Sequence, residues 1–184
     1  IQKQDALVRS IGFKQNDKGA FVLTNVGFAG AYTAAELGIP ESMITKRDAL
    51  ITGISFSEND YYGMSVSGIS FARAYTVEEL GIDPELIAKR DALVTGVYFM
   101  VDSQGTFVSG LAFAHAYTLG ELGISSDRIT KADALVKGIG FGRDQRGSFL
   151  NSLSFARSYS LAALGISEAV WNDMISRMQQ EGDV

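Results

Sequence analysis

The 184-residue sequence contains no cysteine, one histidine, one tryptophan and two prolines. Without cysteine there is neither a disulfide framework nor a thiolate nucleophile. With a lone histidine besides, the usual ligand set of a metal centre is missing, so no metal and no cofactor are expected. No apolar run approaches the roughly 20 residues that cross a bilayer, so no membrane span is expected. A net charge of -5 and a pI near 4.9 leave no basic surface for a phosphate backbone, which excludes nucleic acid as the natural partner. There is no initiator Met and no signal peptide, and Ile1–Asp5 matches Ile44–Asp48, as expected of a processed form or an excised fragment. The compartment, cytoplasmic or exported after processing, is left open.

What is present is a core-forming composition, 46% hydrophobic and 20% charged, which predicts a single domain over 1–184. Its organisation is a fourfold internal repeat. Units opening Asp-Ala-Leu begin at Asp5, Asp48, Asp91 and Asp133, at spacings of 43, 43 and 42 residues. They span 5–47, 48–90, 91–132 and 133–184. A period near 40 means that one supersecondary unit is copied, and that no copy buries its apolar face alone.

Within a unit the hydrophobic period is two. Leu93, Thr95, Val97 and Phe99 alternate with Val94, Gly96, Tyr98 and Met100, then Asp102-Ser-Gln-Gly105 supplies a turn and a second alternating run extends from Phe107 to Tyr117. A β-hairpin follows, and like-with-like matching predicts its register: Leu93 opposite Phe113, Thr95 opposite Leu111, Gly96 opposite Gly110 and Phe99 opposite Phe107. The same rule pairs Leu50 with Phe71, Gly53 with Gly68, Leu135 with Phe155 and Gly138 with Ser152. One face is bulky. The other is small, as in Gly68, Ser70, Ala72 and Ala74, and both are expected to be covered, the small one by closely approaching backbone.

After each second strand, Thr33-Ala-Ala-Glu36, Thr76-Val-Glu-Glu79 and Thr118-Leu-Gly-Glu121 are capping boxes, while Ser160-Leu-Ala-Ala163 keeps only the cap. Gly38, Gly81, Gly123 and Gly165 mark left-handed helix stops, and Asp83-Pro-Glu85 or Ser125 is expected to start a second short helix. The predicted fold is therefore mainly β with short helices (α+β). Four tandem ββαα units close into an eight-stranded antiparallel barrel or ring, since closure removes sticky edges. Val170, Trp171, Met174 and Met178 stripe a longer helix over about 167–180, expected to cap the first unit, with partner binding the alternative.

The residues with chemistry gather at one end of the predicted hairpins. His115 falls opposite Asp91, as Arg73 does opposite Asp48 and Arg157 opposite Asp133, with Gly30 in the first copy. Cross-strand ion pairs explain that row; the alternative is a general base His115 oriented by Asp91 near Tyr117 and Lys89. Lys3, Lys46, Lys89 and Lys131 lie beside Tyr32, Tyr75, Tyr117 and Tyr159. In a barrel they would form a polar mouth over a floor of Phe56, Phe71, Phe99, Phe113, Phe141 and Phe155, suited to an amphipathic or anionic ligand, unless those rings simply fill the core. Arg9 and Lys137 replace Thr52 and Thr95 in one row, an unevenness that a ligand or drift would explain.

At the hairpin tips, Asn16-Asp17, Asn59-Asp60, Asp102 and Asp144 read as turn formers rather than calcium or sugar ligands. Gly138-Ile-Gly-Phe-Gly142 lacks the later glycine of a dinucleotide fingerprint, and Gly63-Met-Ser-Val-Ser67 lacks the last glycine of a nucleophile elbow. Thr76–Arg90 resembles a helix-turn-helix in its Leu-Gly-Ile turn, but recurs four times in an acidic protein and reads as a connector. Four units opening Asp-Ala, with Phe107-Val-Ser-Gly-Leu-Ala-Phe113 repeated in kind, resemble hemopexin-type propellers. That resemblance implies a four-bladed alternative, from which the long hairpins and helical connectors depart.

The functional expectation is a non-enzymatic module that binds a small ligand through Lys46, Lys89, Lys131, Arg73, Arg157, Tyr75, Tyr159, Phe71, Phe113 and Phe155, or that self-associates as a scaffold. The alternative is a cofactor-independent enzyme, an isomerase, cyclase or hydrolase, using His115, Asp91 and Tyr117.

Overall fold

The alternating segments pair in chain order. A computed structural model describes residues 3–59, 62–124 and 129–182. Its strands are β1 (Val8–Gln15), β2 (Phe21–Thr33), β3 (Leu50–Asn59), β4 (Gly63–Thr76), β5 (Leu93–Asp102), β6 (Gly105–Thr118), β7 (Leu135–Asp144) and β8 (Gly147–Phe155). Three one-turn helices, α1 (Ala34–Leu37), α2 (Leu119–Leu122) and α3 (Leu161–Leu164), follow β2, β6 and β8, and α4 (Glu168–Gly182) ends the described chain. All eight strands form a single antiparallel sheet in the order β1 to β8.

That sheet is open: β1 lies at one edge and β8 at the other. The expected barrel or ring is corrected accordingly, and one continuous sheet also replaces the separate blades of a propeller. The helix expected at 167–180 forms at Glu168–Gly182, but it does not cap the first hairpin. Val170, Trp171, Met174 and Met178 are all exposed, as are Ile11, Phe13 and Phe21 of the hairpin they were expected to cover.

The register is offset from expectation by one residue from the hairpin tip, where Met100 instead of Phe99 pairs with Phe107, and each hairpin then carries two β-bulges. In the third, Val94 pairs with Phe113, Val97 with Leu111 and Phe99 with Val108, while Thr95 and Ser109 drop out of the ladder. An extra residue flips the parity of all that follow. Val94, not Leu93, therefore shares the core face with Val97 and Phe99. Ile51 and Val136 likewise replace Leu50 and Leu135 as partners of Phe71 and Phe155, and Gly53 and Gly138 pair with Ser70 and Ser154. Arg9, Thr52, Thr95 and Lys137, the uneven row, are the residues these bulges skip. Their side chains reach across to carbonyls where the structure shows a bond: Thr52 to Ser70, Thr95 to Ala112 and Lys137 to Ala114, each at 3.4 Å.

Each connector folds over one face of the sheet. Thr33 and Thr118 close full capping boxes on α1 and α2, and Thr76 makes the same bonds with Glu79 at 3.0 to 3.1 Å although that turn is not a helix. Gly123 ends α2 at φ +72, with its β-position pressed against Ala88, so a side chain there is excluded twice over. The second short helix expected to start at Asp83-Pro-Glu85 is instead a turn over 84–86. The start expected at Ser125 lies outside the described residues.

Leu37, Ile44, Leu80, Ile87 and Leu122 of the connectors join Ile51, Ile69, Val94, Val97, Leu111 and Val136 of the sheet in one buried cluster. The small-residue face is not covered by a second layer: Ser70 and Ala72 are exposed. Tyr98 lies across it, its ring within 3.1 and 3.3 Å of the β-positions of Gly68 and Gly110, which explains why neighbouring strands place glycine there.

Candidate functional site

The polar end of each hairpin is assembled by a single tight turn. The amides of Ala6, Ala49, Ala92 and Ala134 donate to the carbonyls of Lys3, Lys46, Lys89 and Lys131 at 3.1 to 3.2 Å. This turn puts Lys and the Asp two residues on side by side. Lys3–Asp5, Lys46–Asp48, Lys89–Asp91 and Lys131–Asp133 are salt bridges of 3.1, 3.2, 3.1 and 3.1 Å. The same ammonium groups stand 5.5 to 5.6 Å over the rings of Tyr32, Tyr75, Tyr117 and Tyr159. Those tyrosines are fixed at both ends. Their hydroxyls accept from the amides of Leu7, Leu50, Leu93 and Leu135 at 2.8, 2.9, 3.0 and 2.9 Å. Their rings meet Phe28, Phe71, Phe113 and Phe155 edge-on at 5.3 to 5.5 Å.

The structure thus brings Lys89, Asp91, Phe113, His115 and Tyr117 into one neighbourhood, but not as a His–Asp pair. Asp91 is held by Lys89, whereas His115 lies edge-on to the Tyr117 ring at 6.5 Å. Arg73 and Arg157 take the same seat over Tyr75 and Tyr159, at 5.4 and 5.5 Å. The expected ion pairs of Arg73 with Asp48 and Arg157 with Asp133 are therefore replaced. The hairpin ladders end at Ile51–Phe71, Val94–Phe113 and Val136–Phe155, so no rung holds position 73, 115 or 157 opposite the aspartate.

Electrostatics follow the contacts. The hydrogen bond that Lys89 donates to the Asp91 carboxylate raises the Lys89 pKa above its ordinary value, as those to Asp48 and Asp5 do for Lys46 and Lys3. Asp133 is lowered, chiefly by Lys131. A lysine serving as base or nucleophile needs the opposite shift, toward neutrality. The expected aromatic floor is also absent as such, because Phe71, Phe99, Phe113 and Phe141 are buried in the core instead of lining a lumen.

At the hairpin tips the acidic and amide groups shape turns. Asn16 Oδ1 accepts from Lys18 and Ala20, Asp102 Oδ1 from Gln104 and Asp144 Oδ1 from Arg146, at 2.8 to 3.0 Å. Asp60 lies outside the described residues. A recess of about 340 Å³ between the first two tips is lined by Lys14, Asn16, Asp17, Lys18, Glu58 and Asn59. Among the described residues, no three His, Cys, Asp or Glu side chains stand together in positions to hold a metal.

Two contacts escaped sequence reasoning. Arg143 grips Asp102 with two bonds of 2.8 and 2.6 Å while lying 4.5 Å over the Phe107 ring, which ties the third hairpin to the fourth. The Arg143 hydrogen bond holds the Asp102 carboxyl down at about 2. Nothing periodic signals this pair, because position 143 corresponds to Gln15, Glu58 and Val101 elsewhere. Arg47 and Arg90 clasp the preceding connector, donating to the carbonyls of Ile39 and Ile44 and of Ile82 and Ile87 at 2.5 to 3.2 Å. Their signal was visible in the recurring Lys-Arg-Asp at 46–48 and 89–91. Comparison with family models, with curated proteins and with solved structures finds no match for this chain.

Proposed function

We propose that this chain is a non-catalytic assembly scaffold of four tandem copies, whose polar clusters hold the hairpins in shape and do not process a substrate. One observation carries the reading. The Lys–Asp–Tyr–Phe cluster recurs at all four hairpins with matching distances, and in each its charges and its hydroxyl are engaged in fixing where a strand begins. A catalytic constellation instead needs at least one group left available to the reacting atoms. The competing enzyme reading rests on the uniqueness of His115, but its orienting partner Asp91 is already engaged by Lys89.

Native mass spectrometry of the gently purified protein tests this, with His115→Arg alongside. The polypeptide mass of 19.8 kDa, or whole multiples of it, is expected for both. Arginine at 115 should also leave stability within about 0.5 kcal/mol, as for a surface substitution. A stoichiometric small molecule on the wild type that His115→Arg loses would overturn the scaffold reading.

A further inference from the structure

We propose that copies of this chain join head to tail, the β1 edge of one copy pairing with the β8 edge of another as each hairpin pairs with the next inside the chain. This deepens the scaffold reading and rests on it. The two edges are the ends of an interface that the molecule already makes three times. Leu153 occupies the place of Val26, Ile69 and Leu111, and Ile11 the place of their partners Ile54, Val97 and Ile139. Those partners are 0 to 5% exposed, whereas Ile11 is 49% exposed. Phe13, equivalent to Phe99 and Phe141, is 59% exposed against 4% for each of them.

The receiving surface is partly open, with Leu150, Leu153, Phe155 and Ile166 only partly buried. An apolar recess of about 250 Å³ lies on β8 and its connector, lined among others by Leu150, Leu153, Phe155, Leu164 and Ile166. The matching residues Ile69, Phe71, Leu80 and Ile82 are buried beside β5 in the core. The backbone tells the same story. β4 and β6 remain strands through Thr76 and Thr118 because Leu93 and Leu135 pair with those residues, while β8 ends at Phe155. The amides of Ala34, Val77 and Leu119 donate to the carbonyls of Ala49, Ala92 and Ala134 in the next hairpin, whereas the Leu161 amide makes no equivalent bond among the described residues.

Transferring this geometry fixes the register. Ser152, Leu153, Ser154, Tyr159 and Ser160 face Gly12, Ile11, Ser10, Val8 and Leu7 of a second copy, and the Leu161 amide donates to its Ala6 carbonyl. At the tips, Asn16–Glu58 at 3.3 Å and Asp102–Arg143 already join consecutive hairpins. The equivalent contact places the Gln15 amide of the second copy on the Asp144 carboxylate. Such an interface is heterologous, so it extends into open chains unless the rotation closes a ring.

The absence of native cysteine makes cross-linking clean. In Ser10→Cys/Ser154→Cys the thiols lie across one rung of the proposed ladder, at a separation that suits a disulfide. Mild oxidation should give a ladder of covalent dimers, trimers and higher species on a non-reducing gel. Ser10→Cys/Ser148→Cys, displaced toward the hairpin tip, should not. Ile11→Lys, exposed in the single chain and so compatible with folding, should weaken concentration-dependent mass in light scattering at least about tenfold. Mass that stays at 19.8 kDa across concentration, or equal cross-linking by the displaced pair, overturns the proposal. So do dimers from either single variant, which signify a two-fold interface, and a ladder that appears only after α4 is removed, which makes α4 the cover of β8. A monomer free of small molecules would end head-to-tail assembly yet spare the scaffold reading, whereas a retained small molecule would end the latter.

Discussion

Removing the Tyr117 hydroxyl isolates one structural role of the polar cluster. In Tyr117→Phe the ring keeps its edge-on contact with Phe113 at 5.5 Å and its place beneath Lys89, and only the acceptor for the Leu93 amide disappears. That bond is partly buried, in a neighbourhood where Tyr117 is 9% exposed, so water cannot fully replace it. An amide left without a partner under such conditions costs about 1 to 3 kcal/mol, and partial solvation puts the expected loss near the lower end of that range. The matched control is Tyr32→Phe, which removes the same bond to Leu7 at the exposed first hairpin, where Leu7 is 66% exposed. Water can substitute there, and the expected loss is below about 0.5 kcal/mol. Urea denaturation should be followed by far-UV circular dichroism, because the single Trp171 sits exposed on α4 and reports on that helix. Equal losses at Tyr117 and Tyr32, or none at Tyr117, would refute the assignment of the hydroxyl to the strand start.

Two further perturbations probe other joints. Gly123→Ala forces a side chain into a left-handed backbone and against Ala88, so a loss above about 2 kcal/mol is expected in the same denaturation assay. Arg143→Met removes the partner that holds Asp102 at about 2, below its ordinary 3.8. A depressed carboxylate contributes stability above its unfolded pKa and loses it as pH falls through the folded one. The stability gap between wild type and Arg143→Met should therefore be full above pH 4 or so and shrink steadily toward pH 2, as read from midpoints across that range. A gap independent of pH would detach the pair from Asp102 ionisation.

The antiparallel hairpins, their small-residue face and the capping boxes were legible because each is local: a period of two, a turn cluster, or Thr and Glu three residues apart. Register was not, because a bulge depends on which carbonyls the skipped residue can reach, and nothing in Thr95 or Ser109 announces a missing rung. The insertion at Thr95 moved Val94 into the core in place of Leu93. The same limit undid the ion-pair reading, since the hairpin ladder ends at Val94–Phe113, His115 lies against Tyr117 and Asp91 is engaged by Lys89. Closure was inferred from the hazard of free edges, a general tendency that does not say whether edges meet within one chain. The Arg143–Asp102 link was invisible because it breaks the periodic pattern that made everything else readable.

Native-state hydrogen exchange at high dilution tests most directly whether the sheet is an open scaffold with interchangeable ends. Amide protection should be greatest at Ile54, Val97 and Ile139, where strands are paired on both sides, and should fall away along β1 and β8. Protection in β1 and β8 as strong as in the central strands would mean that the two edges are satisfied within a single chain, and the open scaffold would be wrong.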